Sequence, residues 1–216
     1  MKRRKLICTL VASLALAAMG LAQEVKPIAL PKPQMDGGKT LMQALAERKT
    51  TREFNEQALS PQMLSNLLWA AWGVNRPQSG LRTAPSSQEC MDIDLYLAMA
   101  NGVWIYDPKT HAIVQLMPDD VRGETTTGQA YVKTAALNLV YVSDAARMKN
   151  PTGPDRALTG IADSAVIAQN VYLFCASEGL GAVLRASVPG TKLAQRLNLK
   201  PTQVIYLAQS VGYPKS

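Results

Sequence analysis

The chain predicts an α+β domain in which a central, mostly antiparallel sheet is flanked by helices and one long helix lies buried against it. Three observations carry that expectation. With 216 residues, 47% apolar and 18% charged, the composition is that of an ordinary globular domain, able to bury a core without a disulfide scaffold or a metal. Short apolar or alternating runs read as strands: Asp92 to Ala100, Val103 to Tyr106, Ala112 to Leu116, Ala136 to Val142 and Gln203 to Val211. The turn residues Asp107-Pro108-Lys109-Thr110 join the second and third of these as a hairpin. Finally, a helical stretch from Asp155 as cap to about Glu178 carries Asp163 as its sole charge between Ala157 and Ser177. A helix apolar nearly all round is buried centrally or spans a membrane. Asp163, Gln169 and Asn170 argue against lipid, so the helix is read as central to the fold, on a two-fold axis.

The elements follow in chain order. Lys2-Arg3-Arg4-Lys5, an apolar run from Leu6 to Met19 and Gly20-Leu21-Ala22 form a secretory signal peptide over residues 1–22, cut after Ala22. The run is too short for a retained span, and an exported bacterial protein, periplasmic or secreted, is expected. Arg3-Arg4-Lys5-Leu6-Ile7 is similar to a twin-arginine export signal. Residues 23–38, with Pro27, Pro31, Pro33 and Gly37-Gly38, read as an extended linker, and the domain is expected over 39–216. A short amphipathic helix around Leu41 and Leu45 ends near Arg48. A second begins at the Ser60 cap with Pro61 in its first turn and runs to Gly73. Gly179 is expected to stop the long helix in a left-handed conformation.

Charge and composition exclude several classes. The formal charge is +7, yet four cations lie in the first five residues. Removing residues 1–22 leaves 19 cations against 16 acids, or +3 over 194 residues. With neither an aromatic-basic stripe nor an arginine-clustered helix, nucleic-acid binding is not expected. His111 is the single histidine, so a two-histidine metal site is impossible and a Ser-His-Asp triad would have to be built on one turn. Cys8, Cys90 and Cys175 form no zinc or redox spacing, and Cys90 and Cys175 read as small buried hydrophobes.

Three segments are candidates for chemistry. Arg48-Lys49-Thr50-Thr51-Arg52 puts three cations and two hydroxyls where a helix ends. A helix C-terminus is partially negative, so an anion held there needs compensating side chains, and arginine forks with threonine hydroxyls suit phosphate. The alternative is a helix ending with bases that complement its own dipole. Arg82-Thr83-Ala84-Pro85-Ser86-Ser87-Gln88 offers small hydroxyls after a proline, suited to a planar heterocycle or ribityl chain, or to an ordinary polar turn. Gly179-Leu180-Gly181-Ala182-Val183-Leu184 follows a helix rather than a strand, so it is no dinucleotide fingerprint. Gly181 there allows close approach of backbone to a ligand.

In this order, the segments resemble the nitroreductase family of FMN-dependent oxidoreductases, from about Thr40 to Lys215. The likeness rests on Arg48-Lys49-Thr50-Thr51-Arg52-x-Phe54, Ala84-Pro85-Ser86-Ser87, Gly128-Gln129-Ala130-Tyr131, Glu178-Gly179-Leu180-Gly181 and Gly212-Tyr213-Pro214. The short spacing is similar to the branch of azoline-oxidising dehydrogenases. The resemblance implies a nitroreductase-like fold and a homodimer with one FMN at each of two subunit interfaces. Arg48, Lys49, Thr50 and Arg52 would hold its phosphate and ribityl end, with Lys215 reaching the phosphate. Pro85, Ser86 and Ser87 would come from the partner subunit, Gln129 would meet the ring's polar edge, and the backbone of Leu184, Arg185 and Ala186 would face N5. The usual acidic-glycine pair is absent from that last segment. The implied activity is hydride transfer through flavin N5 from NAD(P)H, a quinol or a redox partner to nitroaromatic, quinone or similar planar acceptors. No metal and no protein side chain is implied in the chemistry itself, which belongs to the cofactor. A non-catalytic flavin- or small-molecule-binding module on the same fold is the alternative.

Overall fold

The computed structural model describes residues 26–215, so the expected signal peptide lies outside the described residues. In chain order the elements are β1 (Ile28–Ala29), α1 (Leu41–Glu47), α2 (Pro61–Trp72), β2 (Val74–Arg76), β3 (Leu81–Arg82), β4 (Ile93–Met99), β5 (Gly102–Asp107) and β6 (Ala112–Met117). They continue with β7 (Leu137–Asp144), α3 (Arg156–Glu178), β8 (Gly181–Arg185), α4 (Gly190–Arg196) and β9 (Gln203–Gly212). Seven strands form one sheet in the order β1-β6-β5-β4-β7-β9-β8, and β2 with β3 makes a separate ribbon. Every pairing in the large sheet is antiparallel.

Side chains alternate across a strand, and β4 shows where they go. Ile93, Leu95 and Leu97 enter the core under α2 and α3, whereas Tyr96 and Ala98 join Leu193 of α4 and Leu197 just past its end on the opposite face. The sheet is covered on both sides, which is why β4 and β7 read as near-continuous apolar runs. Helix α2 starts as its sequence predicts, with the Ser60 hydroxyl accepting from the Met63 N–H. Its last residue, Trp72, is buried and donates its indole N–H to the Ile93 carbonyl at 2.9 Å.

Helix α3 has the expected length, and Gly179 stops it at φ +73. Asp155 occupies the cap position but makes no side-chain capping bond. The helix is not buried all round. Ser164, Ile167, Ala168, Val171 and Cys175 face the sheet, while Leu158 (68% exposed), Ile161 (41%) and Val166 (38%) stand in solvent. Its apolar circumference is two faces: one for the core, one uncovered in the single chain.

The expected linker is extended but not free. Ile28 and Ala29 pair with Ile113 and Ala112 of β6, and the Ser65 hydroxyl donates to the Pro31 carbonyl at 2.5 Å. His111 is the clip. Its Nε2 lies 2.8 Å from that Ser65 Oγ and its Nδ1 2.9 Å from the Tyr106 hydroxyl, while its carbonyl accepts from Leu30 N–H. The packed unit therefore begins at Ile28 rather than at residue 39, and the lone histidine is occupied in structure.

Candidate functional site

The basic segment is built by an abrupt change of backbone. Helix α1 ends at Glu47, and Arg48 at its cap takes φ −57, ψ 120, sending the chain out extended. Thr50 bridges to Ala182 of β8, with the Thr51 N–H on the Ala182 carbonyl at 2.9 Å. Three residues on, Phe54 is buried and pairs with Pro214. The Lys215 N–H then reaches the Glu53 carbonyl at 3.0 Å, so the backbone at Lys215 lies against the basic segment.

Tyr172 of α3 stands at the centre of this arrangement. The Arg48 guanidinium lies 5.3 Å from its ring centroid, Thr50 Oγ1 is 3.4 Å from its hydroxyl, and that hydroxyl accepts from the Leu184 N–H at 2.8 Å. Lys49, Thr51, Tyr172 and Ala182 line one cleft of about 140 Å³. Among the described residues the ion pairs engage Lys39, Arg122, Arg147 and Arg196. Among the described residues Arg48, Lys49, Arg52 and Lys215 form no salt bridge, although Glu47 lines the same cleft as Lys49, so this basic segment keeps cations available to an anion.

A second group is held together by Arg185. Its guanidinium is 3% exposed and donates to the Thr125 carbonyl at 2.6 Å, to Thr125 Oγ1 at 3.1 Å and to Asn138 Oδ1 at 3.1 Å. Burial depresses its pKa from the ordinary arginine value, with Tyr131 acting in the opposite sense. Asn138 in turn donates to the Val132 carbonyl at 2.8 Å, and Thr127 Oγ1 lies 3.1 Å from Ser187 Oγ. These bonds fix the loop carrying Gln129 against the end of β8, so Gln129 and the 184–186 segment are brought together. The Arg185 side chain is thus spent inside the protein. What this segment offers a ligand is its backbone and the exposed Ala186. Gly181 has a similar correction: a Cβ there would sit 2.8 Å from Thr51 Cβ, so its small size admits the Thr51 side chain rather than a ligand. The missing Cβ explains the glycine without any cofactor.

The Pro85-Ser86-Ser87 loop lies elsewhere. Ser86 Oγ donates to Asp163 Oδ2 at 2.8 Å, Ser87 Oγ to Asp163 Oδ1 at 3.0 Å, and the Ser87 N–H to Oδ2 at 2.9 Å. The hydroxyl hydrogens of both serines point into their own subunit, so the loop presents Pro85, which is exposed, and its backbone. Asp163 precedes Tyr172 by nine residues, about 14 Å along the helix axis. One chain therefore keeps this loop and the basic segment well apart.

Beneath the loop Asp92 is fully buried. It accepts from Ser143 Oγ at 2.6 Å, and Cys90 Sγ lies 3.6 Å from its Oδ1. Burial pushes the Asp92 carboxyl up to about 6; the Ser143 hydroxyl opposes that shift and neighbouring Asp163 adds to it. A carboxyl whose folded pKa exceeds its unfolded value of about 3.9 contributes stability below that value, and this contribution is lost as pH rises to about 6. The loss is on the order of 3 kcal/mol. Asp92→Asn stays neutral throughout and keeps an acceptor for Ser143. The wild type should therefore lose stability relative to this variant between pH 4 and pH 7 in paired urea titrations. Parallel curves for the two proteins would contradict the buried-carboxyl account.

Sequence reading brought out the basic segment, Gln129 and the serine loop but missed Tyr172, Asn138 and Thr125. Asp163 carried a signal, a single charge on an otherwise apolar helix, without indicating what it binds.

Comparison with known proteins fits this architecture. The family model described as Nitroreductase family matches residues 45–213. A nitroreductase-family crystal structure from Ralstonia eutropha JMP134 superposes with a TM-score of 0.83 at 40% identity, covering 88% of this chain and 90% of that one. A nitroreductase-family protein of Methanocaldococcus jannaschii is 28% identical over 170 residues, spanning 74% of this chain and 85% of that protein. A structure from Desulfovibrio desulfuricans in complex with FMN shares the fold, with a TM-score of 0.61 at 18% identity and coverage of 82% and 88%. With the family model matching most of its length, the chain belongs to the nitroreductase family.

Proposed function

We propose that the protein is an exported, homodimeric FMN oxidoreductase that passes hydride from NAD(P)H, a quinol or a redox partner to nitroaromatic, quinone or similar planar acceptors. The carrying observation is the basic segment Arg48-Lys49-Thr50-Thr51-Arg52, with Lys215 bonded back to it through its backbone and, among the described residues, no salt bridge to any of these cations. That donor set suits a phosphate joined to a polyol. A buried polar atom near Gln129 fits as well. The Tyr131 hydroxyl is buried without a partner, and a polar ring edge is the kind of group such a region receives. FMN, when bound, supplies hydride transfer at its N5.

The protein's own residues bind and orient. Arg48, Arg52 and Lys215 neutralise the phosphate, and Thr50 hydrogen-bonds the chain next to it. Gln129, held by the Arg185 and Asn138 network, addresses the polar edge of the ring. Pro85 covers the ring from the partner subunit. The dimer is supported by the uncovered stripe of Leu158, Ile161 and Val166, since exposed apolar patches mark association surfaces. Export is supported by the sequence of residues 1–22.

The absorption spectrum of the natively purified protein tests this reading, recorded alone, after added FMN and after anaerobic addition of reduced nicotinamide or a quinol. The expected result is a flavin band that bleaches with donor and returns with a quinone. A colourless protein that takes up no FMN would refute the flavin reading. A flavin band that no donor bleaches would establish the non-catalytic module instead.

A further inference from the structure

We propose that Asp163 is a positioning residue that fixes the Pro85-Ser86-Ser87 loop in the conformation used at the cofactor site, a role that rests on FMN binding as proposed above. Asp163 is 4% exposed. Its two carboxylate oxygens take the Ser86 hydroxyl, the Ser87 hydroxyl and the Ser87 N–H, all between 2.8 and 3.1 Å. A carboxylate in the middle of an apolar helix is costly unless hydrogen-bonded, and these loop donors are what it receives. One turn earlier on α3 a side chain would not fit: a Cβ on Gly160 would lie 2.6 Å from Ser143 Oγ and 2.8 Å from Tyr206 Cε2. The helix therefore presses close to the sheet just where Asp163 meets the loop.

The loop backbone is an independent sign that something must hold it. Gln88, Glu89 and Met91 have φ of 52°, 56° and 49°, left-handed conformations that non-glycine residues seldom adopt. Three such residues within four persist only where the surroundings over-determine them. The Met91 N–H closes the loop back on Ser86 Oγ at 2.9 Å, the same oxygen that donates to Asp163. Ser86 thus joins the strained turn to the helix. Ile161 and Val166, beside Asp163 in sequence, stand on the exposed stripe. One rigid helix thereby references the loop to the surface through which a partner subunit would approach.

The test uses the full chain with Asp163→Ala and Asp163→Asn, loaded with FMN. Three quantities are read: cleavage after the exposed Glu89 by a glutamate-specific protease, mapped by mass; the FMN dissociation constant; and KM and kcat for a quinone acceptor. For Asp163→Ala, cleavage at Glu89 should accelerate and KM should rise about tenfold with a smaller change in kcat, as expected when a contact surface is misplaced rather than lost. Asp163→Asn keeps an acceptor for the Ser87 N–H and should recover most of both. Wild-type cleavage and KM in Asp163→Ala would overturn the proposal, as would an asparagine variant no better than the alanine one. Should Asp163→Ala fail to fold, the double variant Ser86→Ala, Ser87→Ala removes the same side-chain bonds from the loop's side and is judged by the same readouts. If the wild type binds no FMN, the flavin reading fails by itself, and the cleavage arm still decides whether Asp163 holds the loop.

Discussion

Replacing Arg48 and Arg52 together by alanine is expected to leave a folded protein whose dissociation constant for FMN is raised at least about 100-fold. Charge-assisted hydrogen bonds to a phosphate contribute about 1.5–3 kcal/mol each, so two lost forks remove about 3–6 kcal/mol, and each 1.4 kcal/mol is tenfold in affinity. The fold should hardly notice. Arg52 is exposed, and the stacking of Arg48 on Tyr172 contributes only about 0.5–1 kcal/mol at such a site. Flavin fluorescence titration measures the affinity and thermal unfolding of the apoprotein measures the fold. Arg48→Lys with Arg52→Lys should recover part of the binding, because lysine keeps the charge and loses the fork. Unchanged affinity in the double alanine variant would move the phosphate elsewhere on the molecule.

Ile161→Glu combined with Val166→Glu is expected to convert the proposed dimer to a monomer and to strip its flavin at the same time. In a two-fold interface each substitution appears twice on facing surfaces, so the change buries several like charges without partners at a cost of several kcal/mol. Because both side chains are in solvent in the single chain, the monomer itself should still fold. Light scattering after size exclusion gives the mass, and the absorbance ratio gives the flavin content. A variant with the mass of the wild type, or a wild type that is already monomeric, would place the subunit contact away from α3. A monomer that keeps its FMN would instead show that the partner's Pro85 loop is dispensable for binding.

What was legible in the sequence was local. β4, the β5–β6 hairpin, β7 and β9 could be read because each carries its own periodicity or turn, and α3 because its length and apolarity leave few alternatives. β8 was hidden, since Gly179 and Gly181 resemble a loop until Thr51 is seen to occupy the space above Gly181. β1 was hidden because two residues among prolines have no strand pattern of their own; their conformation comes from β6 and the His111 clip. The candidate site divides in the same way. Arg48 to Arg52 is contiguous and could be read directly. The bonds of Arg185 to Thr125 and of Ser86 to Asp163 join residues 60 and 77 positions apart, and no local pattern announces them. The hydroxyls of Ser86 and Ser87 donate to Asp163, a partner on another element that the loop's own sequence does not announce.

The two outer strands of the sheet carry a consequence for how the molecule behaves in a concentrated solution. A bare strand edge is a template for further strands and an invitation to aggregate. On one side β1 is only two residues long and, among the described residues, is the one strand beyond β6. On the other, the free edge of β8 is occupied by the Thr50–Thr51 segment, and the Leu184 N–H is taken by the Tyr172 hydroxyl. The basic segment therefore also closes the sheet, so open-ended strand addition is blocked at this edge, and the proposed contact through the helical stripe would stop at two copies.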